Sequence, residues 1–96
     1  MIVLVCYDVA TDDAAGVRRL RRVAEACKDY GVRVQYSVFE CRVEPARWVA
    51  LRARLLGEID VQRDSVRFYF IRDNDASKTE HHGVRCPVDP SGPLVV

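Results

Sequence analysis

The sequence predicts an α+β fold, an antiparallel sheet carrying two helices on one face. Three observations predict it. Apolar runs of strand length recur at residues 2–5, 32–43 and 65–71. Between them lie two segments whose apolar residues repeat at helical spacing. The chain has 96 residues, 49% of them hydrophobic, which leaves room for one domain with a core and excludes a disordered chain.

Residues 2–5 are a continuous β-branched and aliphatic run, as in a strand with structure on both sides, and the charged Asp8 ends it. Thr11 then offers a side-chain oxygen as a helix N-cap, with Asp12 and Asp13 placed to favour the positive end of the helix. Val17, Leu20, Val23, Ala24, Cys27 and Tyr30 make one apolar stripe, and Gly31 stands where a C-terminal cap belongs. Gly16 weakens the first turn slightly. Arg18, Arg19, Arg21, Arg22 and Lys28 occupy much of the remaining helix surface, offset in part by Glu25 and Asp29.

Residues 32–43 are strand-like, but the parity of their apolar positions changes. Val32, Val34, Tyr36 and Val38 alternate with Arg33, Gln35 and Ser37, and then Phe39, Cys41 and Val43 take over. A one-residue slip turns every side chain to the other face, so two strands joined by a tight turn or bulge near Tyr36 and Ser37 are expected. Glu44 and Pro45 open a second helix, with Pro at the tolerated first position. Trp48, Leu51, Leu55 and Leu56 form its apolar stripe, Arg47, Arg52 and Arg54 its wet side, and Gly57 its end. Residues 65–71 make the next strand, with Val66, Phe68 and Phe70 alternating with Arg67 and Tyr69. Residues 72–80 read as a polar loop and residues 83–87 as a short further strand, while Pro90, Gly92 and Pro93 make the end irregular. The order βαββαβ with an extra C-terminal strand is the ferredoxin-like arrangement. One domain is expected over residues 1–96, with a core at 1–74 and a C-terminal strand and tail at 75–96.

Lys and Arg number 15 against 14 Asp and Glu, a net charge of +1 that excludes a polybasic tail protein. It leaves nucleic-acid binding open, because charge can be segregated onto one face. A chain this short buries only about two-thirds of its unfolded surface, so a dimer would help it. The longest apolar run, MIVLVCY, is far short of the ~20 residues of a membrane span and lacks the flanks of a signal peptide. A cytoplasmic protein without membrane contact is expected. Cys6, Cys27, Cys41 and Cys86 form no CxxC pair and read as buried small hydrophobes, in preference to a disulfide framework or a zinc site.

Three stretches together resemble one known family: YDVAT at residues 7–11, GVRRLRRVAEAC at 16–27 and YGVRVQYSVFEC at 30–41. The segments IDVQRDSVRFYF and EHHGVRCPVDPSGPLVV extend the likeness over almost the whole chain. The family is that of CRISPR-associated protein 2, the compact partner of the CRISPR integrase, and the length and ending are most similar to the branch that accompanies type I-C systems. The resemblance implies a ferredoxin-like protomer and an obligate homodimer. It implies that the dimer holds double-stranded DNA with the integrase during spacer acquisition, a step of antiviral defence. It also implies a metal-dependent endonuclease acting on RNA or double-stranded DNA. In that role Asp8 meets its twin across the dimer axis and holds a divalent cation, Mg²⁺. By the same resemblance, the tail adds a strand to the partner's sheet and offers its last residues to the integrase.

On residue type alone, Asp8 is a polar stop that caps a turn; the family position makes it the metal-binding and catalytic candidate. The ordinary fate of a mixed-charge helix is a solvated face. The run RRLRR contains no acid, which favours phosphate contact through Arg18, Arg19, Arg21 and Arg22, with Arg33 in the family's second-strand signature. Gln35 and Phe39 read as structural, Ser37 as a backbone-bonding turn residue, and Tyr7 and Trp48 as packing residues. His81 and His82 sit in a polar stretch and read as exposed or interface residues, not as ligands or bases. A stand-alone RNA-binding module is the poorer alternative, because the central strands lack the aromatic signature of an RNA-recognition motif.

Overall fold

The computed structural model describes residues 1–83; the expected strand at 83–87, past its first residue, and the tail beyond it lie outside the described residues. The elements follow the order β1 (Ile2–Asp8), α1 (Ala14–Tyr30), β2 (Val32–Gln35), β3 (Val38–Arg42), α2 (Pro45–Glu58) and β4 (Ser65–Ile71). Among the described residues they form one sheet of order β2-β3-β1-β4, antiparallel throughout. The parity change in the sequence is real. Tyr36 and Ser37 make a turn, and a register shift between Arg33 and Gln35 adds a bulge beside it. Residues 73–78, expected as loop, form a 3₁₀ helix.

Both helices lie on one face of the sheet. Val23, Ala26 and Cys27 of α1 and Leu51 and Leu55 of α2 pack with Val3, Val5, Tyr7, Phe39 and Cys41 of the strands. Trp48 is half-buried at the margin of this core, edge-on to Phe68 at 4.8 Å and Phe70 at 5.5 Å. The expected stripes need two corrections. Val17 and Leu56 point outward, 53% and 38% exposed, because each falls off the arc of its helix that meets the sheet. Ala26 replaces them as a fully buried contact that its small side chain did not announce.

The helix ends also differ in detail. Asp13, not Thr11, caps α1: its carboxylate accepts the Gly16 N–H at 2.7 Å. Gly16 and Gly31 are demanded by space, not by backbone conformation. A Cβ on Gly16 would lie 1.9 Å from the Ala10 carbonyl oxygen, and one on Gly31 would lie 2.5 Å from both Cys41 Sγ and the Glu40 carbonyl. Gly57 lies within α2, which runs to Glu58. Cys27 and Cys41 are fully buried free thiols, pushed up to about 12 and about 11 by burial. The reading of these two as small hydrophobes therefore holds, and Cys6 is half-buried on the opposite face.

Candidate nucleic-acid and metal site on the open sheet face

Side chains alternate across a strand, so β1 has two faces. Val3, Val5 and Tyr7 point to the helices; Leu4, Cys6 and Asp8 point away. The ladder extends the second set. Asp8 is paired with Ser65, Cys6 with Arg67 and Val38, and Leu4 with Tyr69 and Glu40. Neither α1 nor α2 covers this face, although Ile2 at its far end is only 2% exposed. Its centre, Leu4, Cys6 and Val38, is apolar and half-buried, Tyr69 is 47% exposed, and Asp8 and Arg67 are exposed at one end. Arg67 donates from Nη1 to the Tyr69 hydroxyl at 2.9 Å. Arg67 was not among the residues singled out from sequence; its alternation with Val66 and Phe68 was the only signal that it faces away from the core.

Asp8 ends β1, and the loop that follows is tightly held. Asp64, the residue before Ser65, has a fully buried side chain. Its Oδ1 accepts the Ala10 N–H at 3.0 Å, and its Oδ2 accepts the Asp60 N–H at 2.9 Å. The Arg19 guanidinium closes a fork on the same carboxylate, with Nε at 2.8 Å from Oδ2 and Nη2 at 3.2 Å from Oδ1. The Arg19 fork, with the two backbone donors, holds the Asp64 carboxyl down at about 2. Across the same loop, Arg63 donates to Asp13 at 2.8 Å and pairs with Asp12. Arg63 lowers the Asp13 carboxyl, helped by the Gly16 N–H.

The arginines of α1 divide into two groups. Arg19 is 12% exposed and committed to Asp64, so the expectation of a phosphate contact there meets a guanidinium already occupied. Arg22 bridges to Glu58 of α2, Nε to Oε2 at 2.6 Å, as Asp29 does to Arg54 at 2.7 Å. Arg18 and Arg21 are exposed, and with Glu25 and Lys28 they make one outward stripe at helical spacing. Arg33 is exposed on β2, its guanidinium carbon 5.0 Å from the Phe39 ring centroid, while the Tyr7 hydroxyl donates to the Tyr36 carbonyl at 3.4 Å. Burial raises the Tyr7 phenol and the Arg33 contact opposes that. Since Phe39 is in the core, Arg33 stands on the helix side of the sheet, opposite Asp8. Ser37 serves the turn, its carbonyl accepting the Tyr7 N–H at 3.0 Å. His81 and His82 are exposed, and His82 lies 3.2 Å from Glu80.

Among the described residues no group of three or more His, Cys, Asp and Glu side chains gathers as a metal cluster. One protomer therefore offers a single exposed carboxylate at the Asp8 position. That donor fits Mg²⁺, which takes one or two carboxylates and keeps several waters, provided that a second copy supplies the other. No helix of the described residues is long and apolar enough to cross a membrane.

A ferredoxin-like sheet with one helix-covered face, and with a carboxylate at the end of the first strand on the other, defines the class. The family model described as CRISPR associated protein Cas2 matches residues 1–79. The CRISPR-associated endoribonuclease Cas2 of Nitratidesulfovibrio vulgaris is 54% identical over 96 residues, covering all of this chain and 94% of that protein. The CRISPR-associated endonuclease Cas2 of Halalkalibacterium halodurans is 44% identical over 95 residues, 99% of each chain. The crystal structure of Streptococcus pyogenes Cas2 superposes with a TM-score of 0.77 at 52% identity, over 86% of this chain and 100% of that one. This chain belongs to the Cas2 family.

Proposed function

We propose that the chain is a homodimeric subunit of CRISPR spacer acquisition, of the branch that accompanies type I-C systems. In this reading it binds double-stranded DNA together with the integrase subunit, in the cytoplasm, and cleaves RNA or DNA endonucleolytically with Mg²⁺ held by paired Asp8 carboxylates. The observation that carries it is the exposed Asp8 at the end of β1, on the face turned away from α1 and α2. A second copy laid on that face would bury Leu4, Cys6 and Val38 and bring Asp8 towards its twin. Two close carboxylates repel, and a shared divalent cation relieves the repulsion. When bound, Mg²⁺ supplies charge stabilisation at the scissile phosphate and a water of lowered pKa. Asp8 holds the cation, and Arg18 and Arg21 hold phosphates without reading sequence. The names of the two relatives, endoribonuclease and endonuclease, support the nuclease part.

A second reading is a DNA-binding scaffold without catalysis, favoured by the absence of a ligand cluster among the described residues. One variant separates the two. Asp8→Asn nearly preserves shape and removes both negative ligands from the dimer. Under the nuclease reading, Mg²⁺-dependent cleavage falls by orders of magnitude while folding and duplex binding survive. Under the scaffold reading the wild type shows no Mg²⁺-dependent cleavage to lose, and spacer integration with the partner enzyme survives in Asp8→Asn. Cleavage undiminished in Asp8→Asn contradicts the metal site.

A further inference from the structure

We propose that Asp64 is a positioning residue for Asp8, setting where its carboxylate stands through the backbone on both sides of the strand end; the proposal rests on the metal-binding reading of Asp8. Asp8 and Ser65 are the last pair of the β1–β4 ladder, and a ladder end frays unless it is tied down. Asp64 immediately precedes Ser65, and its Oδ1 accepts the Ala10 N–H at 3.0 Å, so one buried carboxylate ties the chain leaving Asp8 to the chain entering its ladder partner. Arg19 anchors that carboxylate to α1 through two bonds, and Asp60 N–H anchors it to the loop before β4. Two further devices act on the same loop. Arg63 grips Asp12 and Asp13, and the Ala10 carbonyl approaches α1 so closely that a Cβ on Gly16 would stand 1.9 Å from it. Asp64 thus fixes the backbone two residues beyond Asp8 and does not touch the Asp8 carboxylate itself.

The test uses the full chain and Mn²⁺ as the probe, with affinity read from the electron paramagnetic resonance signal of the free ion. Asp64→Asn keeps the size of the side chain but turns an amide N–H₂ towards one of its donors. It is expected to weaken Mn²⁺ binding by about tenfold, the low end of the cost of losing a direct outer-sphere partner because Asp64 acts through the backbone, with the far-UV circular dichroism of the native chain retained. Arg19→Lys keeps the charge and the Ala10 bond but loses the fork, and is expected to fall between wild type and Asp64→Asn. Should Asp64→Asn fail to fold, Arg19→Lys carries the test alone. In the cleavage assay the same variants should need more Mg²⁺ for half-maximal rate and recover at saturating Mg²⁺, a recovery that damage to the substrate-binding surface would not show. Folded variants that bind Mn²⁺ as wild type does would overturn the proposal and leave the pair a structural staple. A wild type that binds no Mn²⁺, or an Asp8→Asn variant that binds it undiminished, would instead overturn the metal reading itself.

Discussion

Along β1, Val3 and Val5 are fully buried and Tyr7 is 6% exposed, whereas Leu4 and Cys6 are half-buried and Asp8 is exposed. The two sets alternate on one strand of seven residues. The first set meets α1 and α2 and makes the core of the protomer. The second faces away from both helices, and it ends in Asp8, the carboxylate proposed to hold the cation. A strand with polar residues throughout its second face would need no cover. This one is apolar at its centre and charged only at its end, the pattern of a face that is half core and half site. Under the proposed function, stability and metal binding fall to opposite faces of the same strand, and substitutions can separate them.

The largest expected effect lies on the covered face. Phe39 is fully buried and stacks on Tyr7 with ring centroids 6.2 Å apart. Phe39→Ala should destabilise the chain by about 3–5 kcal/mol, from lost burial and the cavity left behind, as read by guanidinium denaturation. Leu4→Glu, one face away, should leave the chain folded and raise the dissociation constant of the proposed dimer by tenfold or more, about 1.4 kcal/mol per tenfold, in sedimentation equilibrium. If Leu4→Glu instead unfolds the chain as Phe39→Ala does, the faces do not divide the labour in this way.

A smaller effect sharpens a second contrast, within α1. Arg18 and Arg21 are exposed on the outward stripe, while Arg19 and Arg22 are paired with Asp64 and Glu58. Replacing Arg18 and Arg21 by Ala should flatten the log–log salt dependence of duplex binding by roughly one unit per arginine. Arg22→Ala should change that slope less. Equal changes from both would place phosphate contacts on the paired group as well.

How much of this was legible in the sequence follows from distance along the chain. Strands and helices were readable because their signals are local: alternation in residues 65–71, helical spacing from Val23 to Cys27, and the parity change that located the Tyr36–Ser37 turn. The α1 cap was misplaced by two residues because Thr11 and Asp13 both carry a capping oxygen, and only the path of the backbone chooses between them. The 3₁₀ helix at residues 73–78 has no apolar rhythm and so looked like loop. Asp8 was singled out through family resemblance; its residue type alone pointed to a turn cap. What the sequence concealed is the division of the arginines. Asp64 lies 45 positions from Arg19, and Glu58 lies 36 from Arg22, so RRLRR reads as one uniform patch until the fold brings those carboxylates to it. Gly31 does cap α1 as read, its N–H bonded to the Cys27 carbonyl, but that Gly16 and Gly31 are also required by atoms brought close in the fold had no local signal.

The proposal that Asp8 acts as a pair across the open sheet face is tested most directly by the stoichiometry of cation binding. Titrating Mn²⁺ into the full-length protein, with calorimetry reporting the number of sites, should give one cation per two chains. The same titration of Asp8→Asn should show that site gone. One cation per chain, or a site that survives in Asp8→Asn, would contradict the pairing and return Asp8 to the role of a polar stop at the end of β1.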